Sequence, residues 1–189
     1  MSAEPSAVLR LGDPRLRRVA EPVLDLDDAD FREAGRRLVA TLEAFRRANG
    51  FGRAMAAPQI GCSLRFLAVE LGDGPRLLIN PEITWASESR ATLWDDCMSF
   101  PDLLVRVSRS RSATVRFVDE GGSTVTWERL ELAVSELLQH EIDHLDGILA
   151  VDRALDGHSL VDRRAFLENP SYFLDQVDYV IPVPAYVRR

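Results

Sequence analysis

The stretch QHEIDHLDG at residues 139–147 places His140 and His144 four residues apart, with Glu141 directly after the first histidine. Four residues is about one turn of an α-helix, so both imidazoles project from one face and can share a single metal ion. Glu141 stands about 100° further round, within reach of a metal-bound water without being a ligand. Histidines at this spacing also occur in ordinary cores. Two imidazoles and a carboxylate on a buried helix need partners, however, and a cation supplies one. A catalytic site of this kind takes a third protein ligand and keeps one position open. No further histidine follows at the metzincin spacing, and His158, in the turn-like segment DGHS, reads as an exposed residue. The better candidate is Cys97, upstream in WDDCMSFP.

The elements that position these residues can be read from periodicity. The stretch from about Glu131 to Leu145 is predicted to be helical, with Gly147 as its stop. Its apolar residues Leu132, Val134, Leu137, Leu138, Ile142 and Leu145 spread around most of the circumference, which predicts a helix packed inside the domain. Residues 29–48 place Phe31, Leu38, Leu42 and Phe45 on one face of a second helix, closed by Asn49-Gly50. From Arg65 onward, the runs RFLAVEL, RLLINP, LLVRVSR and ATVRFVDEGGSTVTWERLEL read as strands, with Glu120-Gly121-Gly122 turning a hairpin. The last part reads as a short helix interrupted at Pro170, then an extended tail limited by Pro182 and Pro184.

Composition narrows the function classes. With 189 residues and 46% apolar content the chain can bury a core of its own, and one domain over 1–189 is expected. All 23 basic residues are arginine, and the net charge of −7, without a basic cluster, argues against nucleic acid as a partner. No secretory leader and no apolar run of about 20 residues is present, so no membrane association and a cytoplasmic location are expected. The two cysteines, Cys62 and Cys97, are poor candidates for a disulfide in a reducing compartment. Cys62 reads as a small buried residue.

Three blocks resemble the peptide deformylases, which remove the N-formyl group from nascent polypeptides. GRAMAAPQIG at 52–61 is similar to the family's Gly-rich glutamine block, DDCMS at 95–99 to its Glu-Gly-Cys-Leu-Ser block, and QHEIDHLDG to its histidine block. The likeness covers about residues 7–155 and leaves 156–189 as a divergent tail. It implies an α+β fold with antiparallel β-sheets wrapped around a central helix that carries the HExxH motif. It implies Cys97, His140 and His144 as metal ligands and Glu141 as general base and proton shuttle. Gln59, through its side-chain amide, and Met98, through its backbone N–H, are implied as oxyanion donors. The implied cofactor is one divalent ion, Fe(II) in the cell, with zinc, nickel or cobalt also suited to these ligands. The implied partner is an N-formyl peptide or nascent chain, and association with a ribosome is left open. Arg53, Ala54, Met55, Phe100, Glu136 and Leu137 are implied as lining the substrate pocket.

Five departures from the family pattern bear on the substrate. Ala54 and Asp96 stand where the family has glycine, and Asp95 replaces a glutamate. Arg53 and Glu136 stand where relatives are apolar. Glu136 lies one turn before His140, on the metal-bearing face. It either pairs with Arg53 or both side chains swing to solvent at a wide pocket mouth. Two further functions therefore stand beside the deformylase. One is an amidase acting on a non-methionine or small-molecule N-formyl or N-acyl substrate, and the other is a degenerate homologue that binds metal or peptide without turnover.

Overall fold

The computed structural model describes residues 3–181, and the tail expected around Pro182 and Pro184 lies outside the described residues. Two antiparallel sheets frame one buried helix. The larger sheet has β1 (Ala54–Ala56), β2 (Phe66–Glu70), β3 (Pro75–Ala86), β6 (Ala113–Val118) and β7 (Thr124–Leu130) in the order β1-β2-β3-β6-β7. The smaller has β4 (Arg90–Asp96), β5 (Leu103–Ser110) and β8 (Leu160–Asp162) in the order β4-β5-β8. Helix α2 (Leu132–Leu145) packs against β1, β3 and β6 of the larger sheet and against β5 of the smaller. This is the α+β arrangement that the resemblance implies.

Helix α1 (Ala29–Asn49) covers the outer face of the larger sheet. The Asp28 carboxylate caps it by accepting from the Phe31 N–H, and Gly50, at a φ of 73°, ends it in the left-handed conformation. Phe31, Leu38 and Leu42 of α1 pack on Phe66 and Ala68 of β2. The alternate residues Leu67 and Val69 face the other way and meet Leu138, Ile142 and Leu145 of α2. Burial on both faces is why FLAVE is apolar throughout four residues instead of alternating.

Every residue of α2 from Ser135 to Leu145 is buried. The chain leaves the helix through Gly147, at a φ of 72°, where an added Cβ would lie 2.6 Å from the Arg17 carbonyl oxygen. Only glycine fits both the backbone conformation and that approach.

Strands β3 and β4 differ from the sequence expectation. β3 runs on to Ala86 past a register shift, where Asn80 takes a φ of 50° and its amide bonds both main-chain groups of Val23. β4 contains the acids Asp95 and Asp96, whose charge disguises a strand in the sequence. The C-terminal helical stretch divides at Asn169 into α3 (Arg163–Glu168) and α4 (Pro170–Leu174), as expected from Pro170. Among the described residues no helix is long and apolar enough to cross a membrane.

Candidate metal centre

β4 delivers Cys97 directly after its last residue, and α2 delivers His140 and His144 from consecutive turns. One ligand atom of each lies within 4.8 Å of the others, and all three residues are buried. Cys97 Sγ is 3.2 Å from His144 Nε2, which is 3.2 Å from His140 Nε2. His140 Nδ1 stands 2.9 and 3.0 Å from the two oxygens of Asp95. A carboxylate only accepts, so Nδ1 carries the proton and Nε2 turns a lone pair toward the sulfur and the second histidine. A single proton can serve only one of these contacts, whereas a divalent cation among them serves all three. The donor set therefore fits a metal ion.

The surroundings enforce this geometry. Arg109 of β5 donates to Asp95 at 3.0 Å and also bonds Asp143 on α2, whose other oxygen accepts from Arg153 at 2.7 Å. The chain Asp95–Arg109–Asp143 thus pins the motif-bearing turns of α2 to the smaller sheet. Burial works against the Asp95 carboxylate, but His140 and Arg109 outweigh it and hold its pKa far below the usual range. Burial likewise opposes charge on His140, and Asp95 more than offsets it, so His140 lies well above the ordinary 6.5. The carboxylate that favours a proton on this imidazole equally favours a cation at Nε2. His144 is driven well below 6.5, first by burial and then by His140, which leaves it a neutral donor. Burial pushes the Cys97 thiol up, against the pull of His140, and a cation is what would make it a thiolate.

Glu141 borders the cavity in front of these ligands, and its Oε2 is buried with no hydrogen-bond partner among the described residues. Burial raises its pKa to about 7, with His140 pulling down and Asp95 pushing up. Such a carboxyl can take and return a proton near neutrality. Gln59, in the 3-10 turn Ala57–Ile60, accepts the Ala56 N–H at its Oε1. That fixes the amide so that Nε2 faces Cys97 Sγ at 3.6 Å and Ser99 Oγ at 3.3 Å. Met98 lies on the cavity wall beside Cys97.

The cavity holds about 340 Å³, with Arg53, Ala54, Glu136 and Leu137 among its lining. Arg53 and Glu136 do not swing to solvent. Arg53 Nη2 bonds Glu136 Oε1, Nη1 bonds the Ala133 carbonyl at 2.6 Å, and the two side chains are 14% and 2% exposed. Burial raises the Glu136 pKa to about 7 even against Arg53.

Met55 and Phe100 do not reach the cavity. Strand alternation turns Met55 to the far side of the sheet, into the α1 cluster with Phe66 and Leu42. Phe100 sits under the smaller sheet with Leu93, Val105 and Val107. His158 is exposed and Cys62 is only partly buried, both away from the centre.

Sequence reasoning does not find Asp95, Arg109 or Asp143 as supports. Asp95 stands two residues before Cys97, which on a strand means the same face, and Asp143 is an acid inside a helix expected to be buried. Both signals are present but need the third member, Arg109, which no spacing ties to them.

The family model for polypeptide deformylases matches residues 5–159. The peptide deformylase of Thermotoga neapolitana is 37% identical over 157 residues, 83% of this chain and 92% of the relative. The crystal structure of the peptide deformylase from Thermotoga maritima superposes with a TM-score of 0.73 at 33% identity, covering 81% of this chain and 99% of that one. The Met-Ala-Ser-bound class I type b peptide deformylase from Acinetobacter baumannii superposes with a TM-score of 0.70 at 28% identity, over 81% of this chain and 99% of that one.

Proposed function

The chain belongs to the polypeptide deformylase family, and from that premise we propose that it hydrolyses the N-formyl group of a peptide N-terminus, with Cys97, His140 and His144 holding one divalent cation. The convergence of three buried donor atoms within 4.8 Å carries this reading. Fe(II) is the proposed ion in the cell, since a thiolate with two imidazoles suits Fe(II), zinc, nickel or cobalt and supply decides among them. The proposal takes 1–189 as one domain acting in the cytoplasm on the formylated N-terminus of a peptide, with no nucleic acid or membrane as partner.

A divalent ion, when bound, supplies Lewis acidity that polarises a carbonyl and acidifies water. The remaining work belongs to the chain. Glu141 takes the proton of the attacking water at Oε2 and passes it to the leaving amine nitrogen, so that one water yields formate and a free amine. The Gln59 amide nitrogen, oriented by Ala56, and the Met98 N–H donate to the oxygen on which negative charge develops. Asp95 keeps the His140 proton on Nδ1 throughout.

The test is formate release from formyl-Met-Ala-Ser by protein purified without oxygen, together with elemental metal analysis. Glu141→Ala is expected to lose activity by about 10²–10⁴-fold while keeping its metal. A fully metallated but inert wild type would favour the binding homologue.

A second reading is favoured by the Arg53–Glu136 pair. An ion pair in the substrate cavity makes that wall polar and shifts preference from formyl-Met toward first residues with polar or charged side chains. A strong methionine preference across a panel of formyl peptides would refute it.

A further inference from the structure

Leu160–Ile181 lie outside the family match, yet Arg163, Phe166, Leu174, Val177 and Tyr179 line the same cavity as the metal ligands. Resting on the N-formyl hydrolase reading above, we propose that the segment from Arg163 to Ile181 is the outer wall of the substrate cavity and makes the enzyme selective for short N-formyl substrates over long formyl peptides.

The first support is the edge of β4. Thr92 O accepts from both Asp178 N and Tyr179 N at 3.1 Å, while Thr92 N and Oγ1 donate to Asp178 Oδ2 at 3.0 and 2.8 Å. The main-chain groups of Thr92 therefore face away from β5. Because Thr92, Trp94 and Asp96 share parity in the β4–β5 register, the groups of Trp94 and Asp96 face the same way, toward the cavity. An unpaired strand edge beside a reacting centre is where an extended peptide adds. Here the C-terminal segment already holds that edge at Thr92, so a chain lying along β4 runs into it.

The second support is Arg163. Its guanidinium donates to Asp96 at 3.0 Å and to the Pro101 carbonyl, and it lies 4.6 Å from the ring centroid of Phe51, Asp96 and Phe51 both lining the cavity. One side chain thus ties two separate parts of the lining together. Asp96, which replaces a family glycine, acquires a purpose as its anchor.

The third support is the docking of the segment. Trp94 donates its indole N–H to the Phe173 carbonyl at 2.8 Å and meets the rings of Phe166 and Phe173 edge-on. No residue from Leu160 to Ile181 is fully buried; Tyr179 and Ile181 anchor the end of the segment against the core beneath the smaller sheet, and the rest of the wall is held by partly exposed contacts that can be loosened.

The experiment compares kcat and KM for formyl-Met, formyl-Met-Ala, formyl-Met-Ala-Ser and a formyl hexapeptide of the same start. It uses the metal-loaded full chain and two variants, Asp178→Ala and Arg163→Met. Asp178 is exposed and outside the cavity lining, so Asp178→Ala remains decisive if Arg163→Met misfolds.

In the wild type kcat/KM is expected to fall with length. In Asp178→Ala the hexapeptide is expected to gain about tenfold relative to formyl-Met-Ala, mainly through KM, as the lost hydrogen bonds release the wall. A flat length series, or a length ratio unchanged in both variants, overturns the inference while the hydrolase reading stands. Absence of formate from every substrate, with metal bound, instead overturns the reading beneath it.

Discussion

Replacing Arg53 with methionine strands Glu136, which is 2% exposed, without its partner. In the wild type, burial already raises the Glu136 pKa from 4.5 to about 7, with Arg53 pulling it down. Removing Arg53 leaves burial and Asp95 to push it higher, against His140 alone. The sign follows from linkage. A carboxyl with a raised folded pKa contributes fully below its unfolded value and loses that contribution as pH rises through the folded one. Wild-type stability therefore falls by up to about 1.4 kcal/mol per pH unit above the unfolded value and levels off near the folded one. The variant keeps falling beyond that point.

At pH 8 a buried charge without its partner costs about 3–5 kcal/mol, and Arg53→Met falls in that range. Glu136→Met sits at the lower end, because Arg53 keeps the Ala133 carbonyl and some exposure. The double variant Arg53→Met/Glu136→Met removes both charges and comes out near neutral, or about 1–4 kcal/mol more stable than the wild type. It also makes the wall apolar, and kcat/KM for formyl-Met-Ala-Ser is expected to rise about 10–200-fold relative to a formyl peptide with a polar first residue. Urea unfolding of metal-saturated protein at pH 5.5, 7 and 8 reads the stability cycle, and formate release reads the preference. The reasoning fails if Arg53→Met shows the wild-type pH slope, or if the double variant is as unstable as the two singles added together.

Asp95→Asn removes the carboxylate that fixes the His140 tautomer, and metal affinity is expected to drop about 10–100-fold by competition with a chelator. Because the Asp95 pKa is depressed in the fold, its contribution is lost as pH falls below the ordinary 3.8, so the variant's stability should depend less on acid than the wild type's. Gly147→Ala meets both a positive φ and the Arg17 carbonyl at 2.6 Å, and is expected to lose about 2 kcal/mol or more in urea unfolding. Stripping the ion should lower Tm, since metal at a hundredfold excess over Kd stabilises by about 2.7 kcal/mol, and re-addition should restore it.

The ligands were legible because each sits where one local rule suffices. Helix periodicity puts His140, Glu141 and His144 on adjacent faces of α2, and the three blocks bring in Cys97 and Gln59 by resemblance. What stayed hidden depends on contacts between elements. Met55 belongs to a block that borders the site and Phe100 directly follows another, yet β1 alternation turns Met55 to α1 and the turn after β4 drops Phe100 into the core. Arg109 reads as one basic residue in a strand; in the β4–β5 register it stands opposite Ala91, and only the reach of its side chain sets it between Asp95 and Asp143. β4 itself was missed because its acids are neutralised by partners far along the chain.

The departures at Arg53, Asp96 and Glu136 look unrelated in the sequence, and the structure connects them around one cavity. Arg53 and Glu136 satisfy each other on its inner wall, while Asp96 holds Arg163 at its mouth. Each is a charge that would be expensive there alone, and each is matched by an opposite charge within bonding distance. Asp96 without Arg163 would leave a carboxylate at the mouth without a cation, and Arg163 without Asp96 would lose its hold on the β4 rim. The cavity residues and the C-terminal segment are therefore coupled, and a replacement at Asp96 should change substrate-length selectivity as Arg163→Met does, although the two residues are separated in the chain by four strands and the whole of α2.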